Sequence, residues 1–304
     1  MLLESFLAAG LLLATPILLA ALGELLVERT GVLNIGVEGM MLTGAFAAAM
    51  SAEATGSPGL GALVGAVAGV AVALLFAWCA IVLGTDQIIV GAAINLIALG
   101  GTGALYRAFY GTTGAALVLP TLPSLPVPGL ASLPFVGPVL ASQNALVYLA
   151  LLLVPAFWAL FRRTGLGLRL RAVGDHPQAA ASLGYGVRAH KIGAILCAGA
   201  LSGLAGATLT LAATNTFVEG VTAGRGFVAL AVVVFGRWSP WGVMAGALLF
   251  GLVSALQFQL QAADLAIPHQ LALMLPYLVT LAVLVTSPGT AVAPRALGVG
   301  DDPR

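Results

Sequence analysis

Seven stretches of this 304-residue chain contain no Asp, Glu, Lys or Arg: 5–23, 54–85, 87–106, 108–161, 192–218, 238–263 and 265–294. A membrane-crossing helix takes about 20 mainly apolar residues, so most of these stretches have room for at least one. Only 8% of the residues are charged, 12 basic and 11 acidic, against about 25% in an ordinary soluble domain. A water-exposed surface built from so few charges would be largely apolar and would associate. The apolar runs are continuous, without the period-two alternation of an outer-membrane barrel strand. These constraints exclude a soluble enzyme. A net charge of +1 with a single lysine also leaves no basic face for nucleic acid. The expected fold is all-α: a polytopic transmembrane bundle of about 8–10 spans, some of them short or broken.

Nine spans are expected, at 3–27, 31–50, 59–83, 87–108, 144–161, 191–213, 223–236, 241–260 and 269–286. Only Glu4 precedes the first apolar run, so that run lacks the basic start of a cleavable signal and reads as a retained span. The segment 223–236 opens on Gly224, Arg225 and Gly226 and fits a short or broken helix. Between 110 and 143 six prolines (Pro120, Pro123, Pro126, Pro128, Pro134 and Pro138) forbid a long helix, so an external loop with interfacial half-helices is expected there. The loop 162–190 carries Arg162, Arg163, Arg169, Arg171 and Arg188, with Lys191 at its edge. Half of all basic residues gather there, which places the loop in the cytoplasm by the positive-inside rule. Counting spans from it puts the N-terminus outside and the C-terminus inside. The chain then divides into one transmembrane domain, 1–290, with 162–190 as its cytoplasmic coupling loop, and a cytoplasmic tail, 291–304.

Close helix packing is expected where small residues recur every fourth position: Gly61/Gly65/Gly69, Gly199/Gly203 and Gly242/Gly246. Cys79 and Cys197 stand alone in apolar runs. No His/Cys cluster, phosphate-binding loop or nucleophile motif is present, so neither a cofactor nor catalysis by this chain is expected. Glu24 and Glu28, the one carboxylate pair at helical spacing, read as interfacial. A catalytically empty bundle points to transport. The candidate pathway residues are Asn34 and Glu38, read as sharing a helix face four residues apart, and Asn95, two turns into its span; intramembrane polar groups face a cavity or a partner. Asp86 is expected to cap the fourth span, Glu219 to pair with Arg225, both outside, and Asp175 to cap a short Ala-rich helix ending at Gly184.

Within the basic loop, Gln178-Ala179-Ala180 followed by Gly184 resembles the EAA-x-x-x-G signature by which ABC importer permeases dock on their ATPase, with Gln in place of Glu. The stretches Glu28–Gly39, Arg169–Asp175 and Gly224–Gly242 resemble, in order and spacing, segments of permeases of the branched-chain amino acid, ribose and nucleoside importer group. Their nucleoside branch is the most similar. The resemblance covers roughly residues 20–260. It implies a permease subunit in a bacterial cytoplasmic membrane, paired with a paralogous permease and driven by a partner ATP-binding cassette subunit. It also implies an extracytoplasmic substrate-binding lipoprotein that supplies the solute. Arg169, Arg171, Gly174, Asp175, Gln178, Ala179, Ala180 and Gly184 are then the ATPase-coupling residues. A branched-chain amino acid or sugar permease is the nearest alternative, and an ATP-independent carrier or channel, its basic loop bound only to membrane lipid, is the alternative of another class.

Overall fold

The computed structural model describes residues 2–111, 118–126, 137–141, 143–262, 274–276, 278–279, 282, 285 and 293–299. The helices are α1 (Leu2–Glu28), α2 (Val37–Thr55), α3 (Pro58–Ala77), α4 (Gln87–Tyr110), α5 (Gly137–Leu140), α6 (Ala145–Arg163), α7 (Gly165–Asp175), α8 (Pro177–Ser182), α9 (Val187–Thr208), α10 (Arg225–Phe235) and α11 (Pro240–Ala262). A π-helical turn extends α3 through Trp78–Val82 and another extends α9 through Leu209–Ala213. Among the described residues, six segments are long and apolar enough to cross a membrane: Leu3–Glu28, Pro58–Val82, Gln87–Tyr110, Ala145–Arg163, Val187–Ala213 and Pro240–Ala262. The protein is a polytopic helical membrane bundle. The expected span at 269–286 falls largely outside the described residues.

Helix starts follow local chemistry. Asp86 caps α4 as expected, its carboxylate accepting from the N–H groups of Ile88 at 2.8 Å and Ile89 at 3.1 Å. Asn144 does the same for α6, accepting from Leu146 and Val147, and Ser57 precedes Pro58 at the first position of α3. The first helix is the central one. From Ala14 to Glu28 every residue is buried, which a helix apolar on all sides achieves only when surrounded by others.

Small residues set the frame around it. α2, α3 and α9 approach so closely that a Cβ at Gly203 would lie 2.2 Å from the Gly65 carbonyl oxygen, one at Gly69 2.1 Å from that of Gly199, and one at Gly206 2.0 Å from that of Met41. The first two expected glycine series therefore form one seam. In the third, Gly242 packs on Gly236, across the turn from α10 to α11. Lipid gives no hydrophobic drive between helices, so this backbone contact supplies the packing.

Two spans are interrupted. The chain leaves α1 at Glu28, runs irregularly upward through 29–36, and becomes helical only at Val37. The expected helix from residue 31 is thus corrected: Gly31 has φ +83° and Asn34 precedes the helix. Past the π-turn of α9 the chain turns back irregularly through 214–224, reaching mid-bundle before α10 begins. α10 has only 11 residues, the short helix expected there. Both segments still connect opposite ends of the bundle. One end gathers Glu28, Gln87, α7, α8 and Trp238; Tyr110 bonds Glu53 at the other. The segment 293–299 lies at the first end, where the Ala296 N–H donates to the Gly174 carbonyl and the Gly298 N–H to that of Gly31.

Replacing Gly203 by leucine is expected to destabilise the bundle by about 1–3 kcal/mol or more through overpacking against the α3 backbone. Gly100→Ala, where a Cβ meets nothing within 4 Å, is expected to be neutral. Thermal unfolding of the detergent-solubilised protein checks both.

Candidate functional site where two interrupted spans meet

The two breaks in the bundle face each other. The Glu38 carboxylate, in the first turn of α2, accepts from the N–H of Gly224 at 2.8 Å through Oε1 and from that of Gly226 at 2.7 Å through Oε2. A helix start leaves four N–H groups without intrahelical partners and carries partial positive charge. A carboxylate there makes charge-assisted bonds. Glycine is required at both positions. Gly224 has φ +81°, and a Cβ at Gly226 would sit 2.7 Å from the Glu38 backbone.

Asn95 of α4 braces the same point. Its Oδ1 accepts from the Gly39 N–H at 2.8 Å and its Nδ2 donates to the Ile35 carbonyl at 2.9 Å. Gly91, one turn earlier, lets the 35–36 backbone lie directly on α4. Glu38 and Asn95 are both half-buried, so each keeps an accessible edge at mid-depth.

Asn34 lies apart from that edge. It is fully buried, donating at 2.7 Å to Glu24 Oε1 while its own Oδ1 accepts from the Gly36 N–H. Asn34 and Glu38 therefore do not share a helix face; the break at Gly36 separates them. Glu24 Oε2 is buried without a hydrogen-bond partner among the described residues. Glu24 and Glu28 are both fully buried within the bundle. Glu219 pairs with Arg107 at 2.7 Å instead of Arg225. Arg225 sits at mid-depth, at the start of α10, donating to the carbonyls of Val221 and Thr222, rather than outside. Reading the sequence missed both points because the partners are about a hundred residues apart or on the backbone.

At the basic end a second set of contacts ties α10 to α1. The Glu28 carboxylate accepts from the Trp238 indole N–H at 2.5 Å, and the Arg29 guanidinium donates to the Trp238 carbonyl at 2.6 and 3.2 Å. Arg237 and Trp238 adopt φ +54° and +50°, a conformation non-glycine residues take only where surroundings fix it. α7, an 11-residue helix not anticipated as such, rests on this joint: a Cβ at Gly174 would lie 2.3 Å from the Arg29 carbonyl oxygen. Its signal was Thr164, whose hydroxyl accepts from the Gly167 N–H. Burial first, and then the neighbouring Arg171, lower the pKa of Arg29, while Asp175 and Glu28 raise it.

Of the expected coupling residues, Arg169 stacks over the Tyr185 ring and Arg171 lies half-buried beside Arg29. Asp175 closes α7, and α8 starts after His176 without a side-chain cap, so the expected Asp175 cap is corrected. Helix α8 ends at Ser182, and Gly184 follows with φ +83°. Gln178, Ala179 and Gly184 are exposed, whereas Ala180 is buried against its own chain at 2% exposure.

The profile of the branched-chain amino acid transport system permease component matches residues 6–284, and the chain belongs to that family. It is 40% identical over 91% of its length to a candidate glucose ABC transporter permease protein, TsgC13 of Haloferax volcanii, of which it covers 91%. It is 35% identical over 96% of its length to the guanosine ABC transporter permease protein NupQ of Bacillus subtilis, covering 94% of it. The same identity, over 98% of the chain and 96% of the relative, holds for the nucleoside ABC transporter permease protein NupC of Lactococcus lactis. No solved structure matches. These relatives are permease subunits, in keeping with the transport reading.

Asn34→Ala removes the one hydrogen bond observed on the Glu24 carboxyl and is expected to cost about 1–3 kcal/mol. Asn34→Asp, which places a second acid there, is expected to cost more. A fall in the thermal midpoint of the purified protein, in that order, checks this.

Proposed function

We propose that this chain is one translocation subunit of an ABC importer for a small neutral solute, a nucleoside, with ATP hydrolysis carried by a partner cassette subunit. The observation that supports it best is the meeting of two interrupted spans at Glu38. Transporters place solute sites near the bilayer midplane where broken helices present backbone and polar groups. Glu38 and Asn95 line the path, and Asn34 supports them from behind through Glu24. Where the two breaks meet, the charged side chains of Glu38 and Arg225 are turned to backbone: Glu38 to the N–H groups of Gly224 and Gly226, Arg225 to the carbonyls of Val221 and Thr222. A zwitterionic amino acid needs such charges free, whereas an uncharged nucleoside needs hydrogen bonds.

The basic end faces the cytoplasm, the N-terminus lies outside and the C-terminal tail inside. The outward side chains of α8 dock on the ATPase, through Gln178, Ala179, Leu183 and Gly184. Arg169, Arg171, Gly174 and Asp175 carry the motion back to Arg29, while Ala180 anchors α8 to its own chain. A paralogous permease completes the path, and an extracytoplasmic binding lipoprotein delivers the solute. The sugar reading draws on the similarity to TsgC13 and is separated by the assay below.

Three results are expected. With its partner subunits, the chain supports ATP-dependent uptake of labelled guanosine that excess unlabelled nucleosides suppress and excess glucose or leucine does not; suppression by glucose alone would transfer the assignment to sugars. Ala179→Asp and Leu183→Asp, both exposed, Leu183 at 74%, are expected to abolish co-purification of the ATPase while leaving membrane insertion intact. In a background lacking Cys79 and Cys197, a cysteine at Leu183 is expected to react only from the cytoplasmic side and one at Val118, 88% exposed, only from outside. Uptake that persists without any ATPase would point to a carrier or channel.

A further inference from the structure

Three guanidinium groups line one cleft at the basic end of the bundle. The cleft, of about 230 Å³, is bounded by Arg29, Arg162 and Arg171 together with Trp158, Trp238 and Trp241. None of its lining residues is acidic. Arg29 and Arg171 lie close enough for each other's charge to be felt, and Asp175 and Glu28, which act on Arg29 from outside the lining, offset only part of the positive charge. Like charges held together in a half-buried cleft are stabilised by an anion. Arg29 spends its Nε and one terminal nitrogen on the Trp238 carbonyl, and Arg171 its Nε on the Gly167 carbonyl at 3.4 Å, so both keep N–H donors beyond these bonds.

Depth identifies the anion. The cleft sits where α6 ends and α11 begins, and Trp241, 47% exposed, stands at the first turn of α11. Tryptophans at a helix end mark the level of lipid headgroups, and basic pockets between spans at that level hold anionic headgroups. We infer that Arg29, Arg162 and Arg171 form a binding site for the phosphate of an anionic phospholipid, its acyl chains lying along the outer faces of α6 and α11. The site draws on the membrane-spanning fold alone and stands whatever the transported solute is. Because Arg29 also holds Trp238, the bound lipid rests on the joint between α1 and α10.

The test is native mass spectrometry of the full detergent-purified chain titrated with phosphatidylglycerol, phosphatidylcholine or inorganic phosphate. One phosphatidylglycerol is expected to bind about tenfold or more tightly than phosphatidylcholine, and Arg162→Gln or Arg171→Gln to weaken it by roughly fivefold each. Arg163→Gln is the control: its guanidinium lies over the Trp158 ring, 5.2 Å from the centroid, and Arg163 is not among the residues lining the cleft, so its binding is expected to match wild type. Equal binding of the two lipids, or an equal loss with the Arg163 variant, would overturn the site. So would inorganic phosphate binding as tightly as phosphatidylglycerol, which would make it a site for a free anion. Loss of the bound lipid when the ATPase docks would reassign the arginines to acidic groups of that partner and overturn it as well.

Discussion

One carboxylate holds the bundle's two breaks together. In hydrocarbon every backbone N–H needs a partner, and a helix that starts in mid-membrane leaves its first N–H groups open. Glu38 meets those of Gly224 and Gly226. Burying an acid in a membrane is itself costly, so the interaction is reciprocal: the helix start needs an anion, and the anion needs concentrated donors. The same exchange explains why α2 starts late. Only with its first turn at mid-depth does α2 carry Glu38 to the level of α10, and Asn95 then satisfies Gly39 and Ile35 at the exposed end.

That arrangement depends on α2 being fixed in place, and the glycine seam fixes it. Gly44 of α2 approaches Gly203 of α9, while Gly65 and Gly69 of α3 close the third side. A side chain larger than hydrogen at any of these positions would push α2 outward and lift Glu38 away from α10. The polar contact is thus held by apolar packing elsewhere, a division suited to a membrane, where small residues determine how near two backbones come.

Six long spans, the clustering of basic residues, the Asp86 cap and the shortness of α10 were legible in the sequence, because each follows from local composition: neutral length, clustered arginine, an acid before an apolar run, Gly-Arg-Gly ahead of too few apolar residues. What failed was long-range. Helical spacing placed Asn34 and Glu38 on one face, but Gly31 and Gly36 let the chain stay irregular as far as Val37, and Asn34 turned inward to Glu24. Proximity in sequence paired Glu219 with Arg225, yet the folded chain brings Arg107 to Glu219 from 112 residues away. The pattern of the proposed docking motif does not say which side faces out; only the packing of α8 shows that Ala180 is buried while Ala179 is exposed.

α10 is gripped at both ends. Glu38 holds its start, and Glu28 and Arg29 hold the Trp238 turn at its finish. A helix of 11 residues is about three turns and, being so short, transmits displacement with little bending. Beneath that turn the contacts are backbone: Gly174 of α7 lies on the Arg29 carbonyl, and the Ala296 N–H donates to the Gly174 carbonyl. A shift of α7 therefore reaches Trp238 through the Arg29 guanidinium, with the Glu28 carboxylate beside it, and from there the start of α10 at Gly224. The upper joint differs. It is a pair of hydrogen bonds to one half-buried carboxylate, beside the accessible edges of Glu38 and Asn95. A buried carboxylate, Glu28, thus closes the basic end of α10 and a half-buried one, Glu38, its start, so the accessible acid edge lies where the two breaks meet.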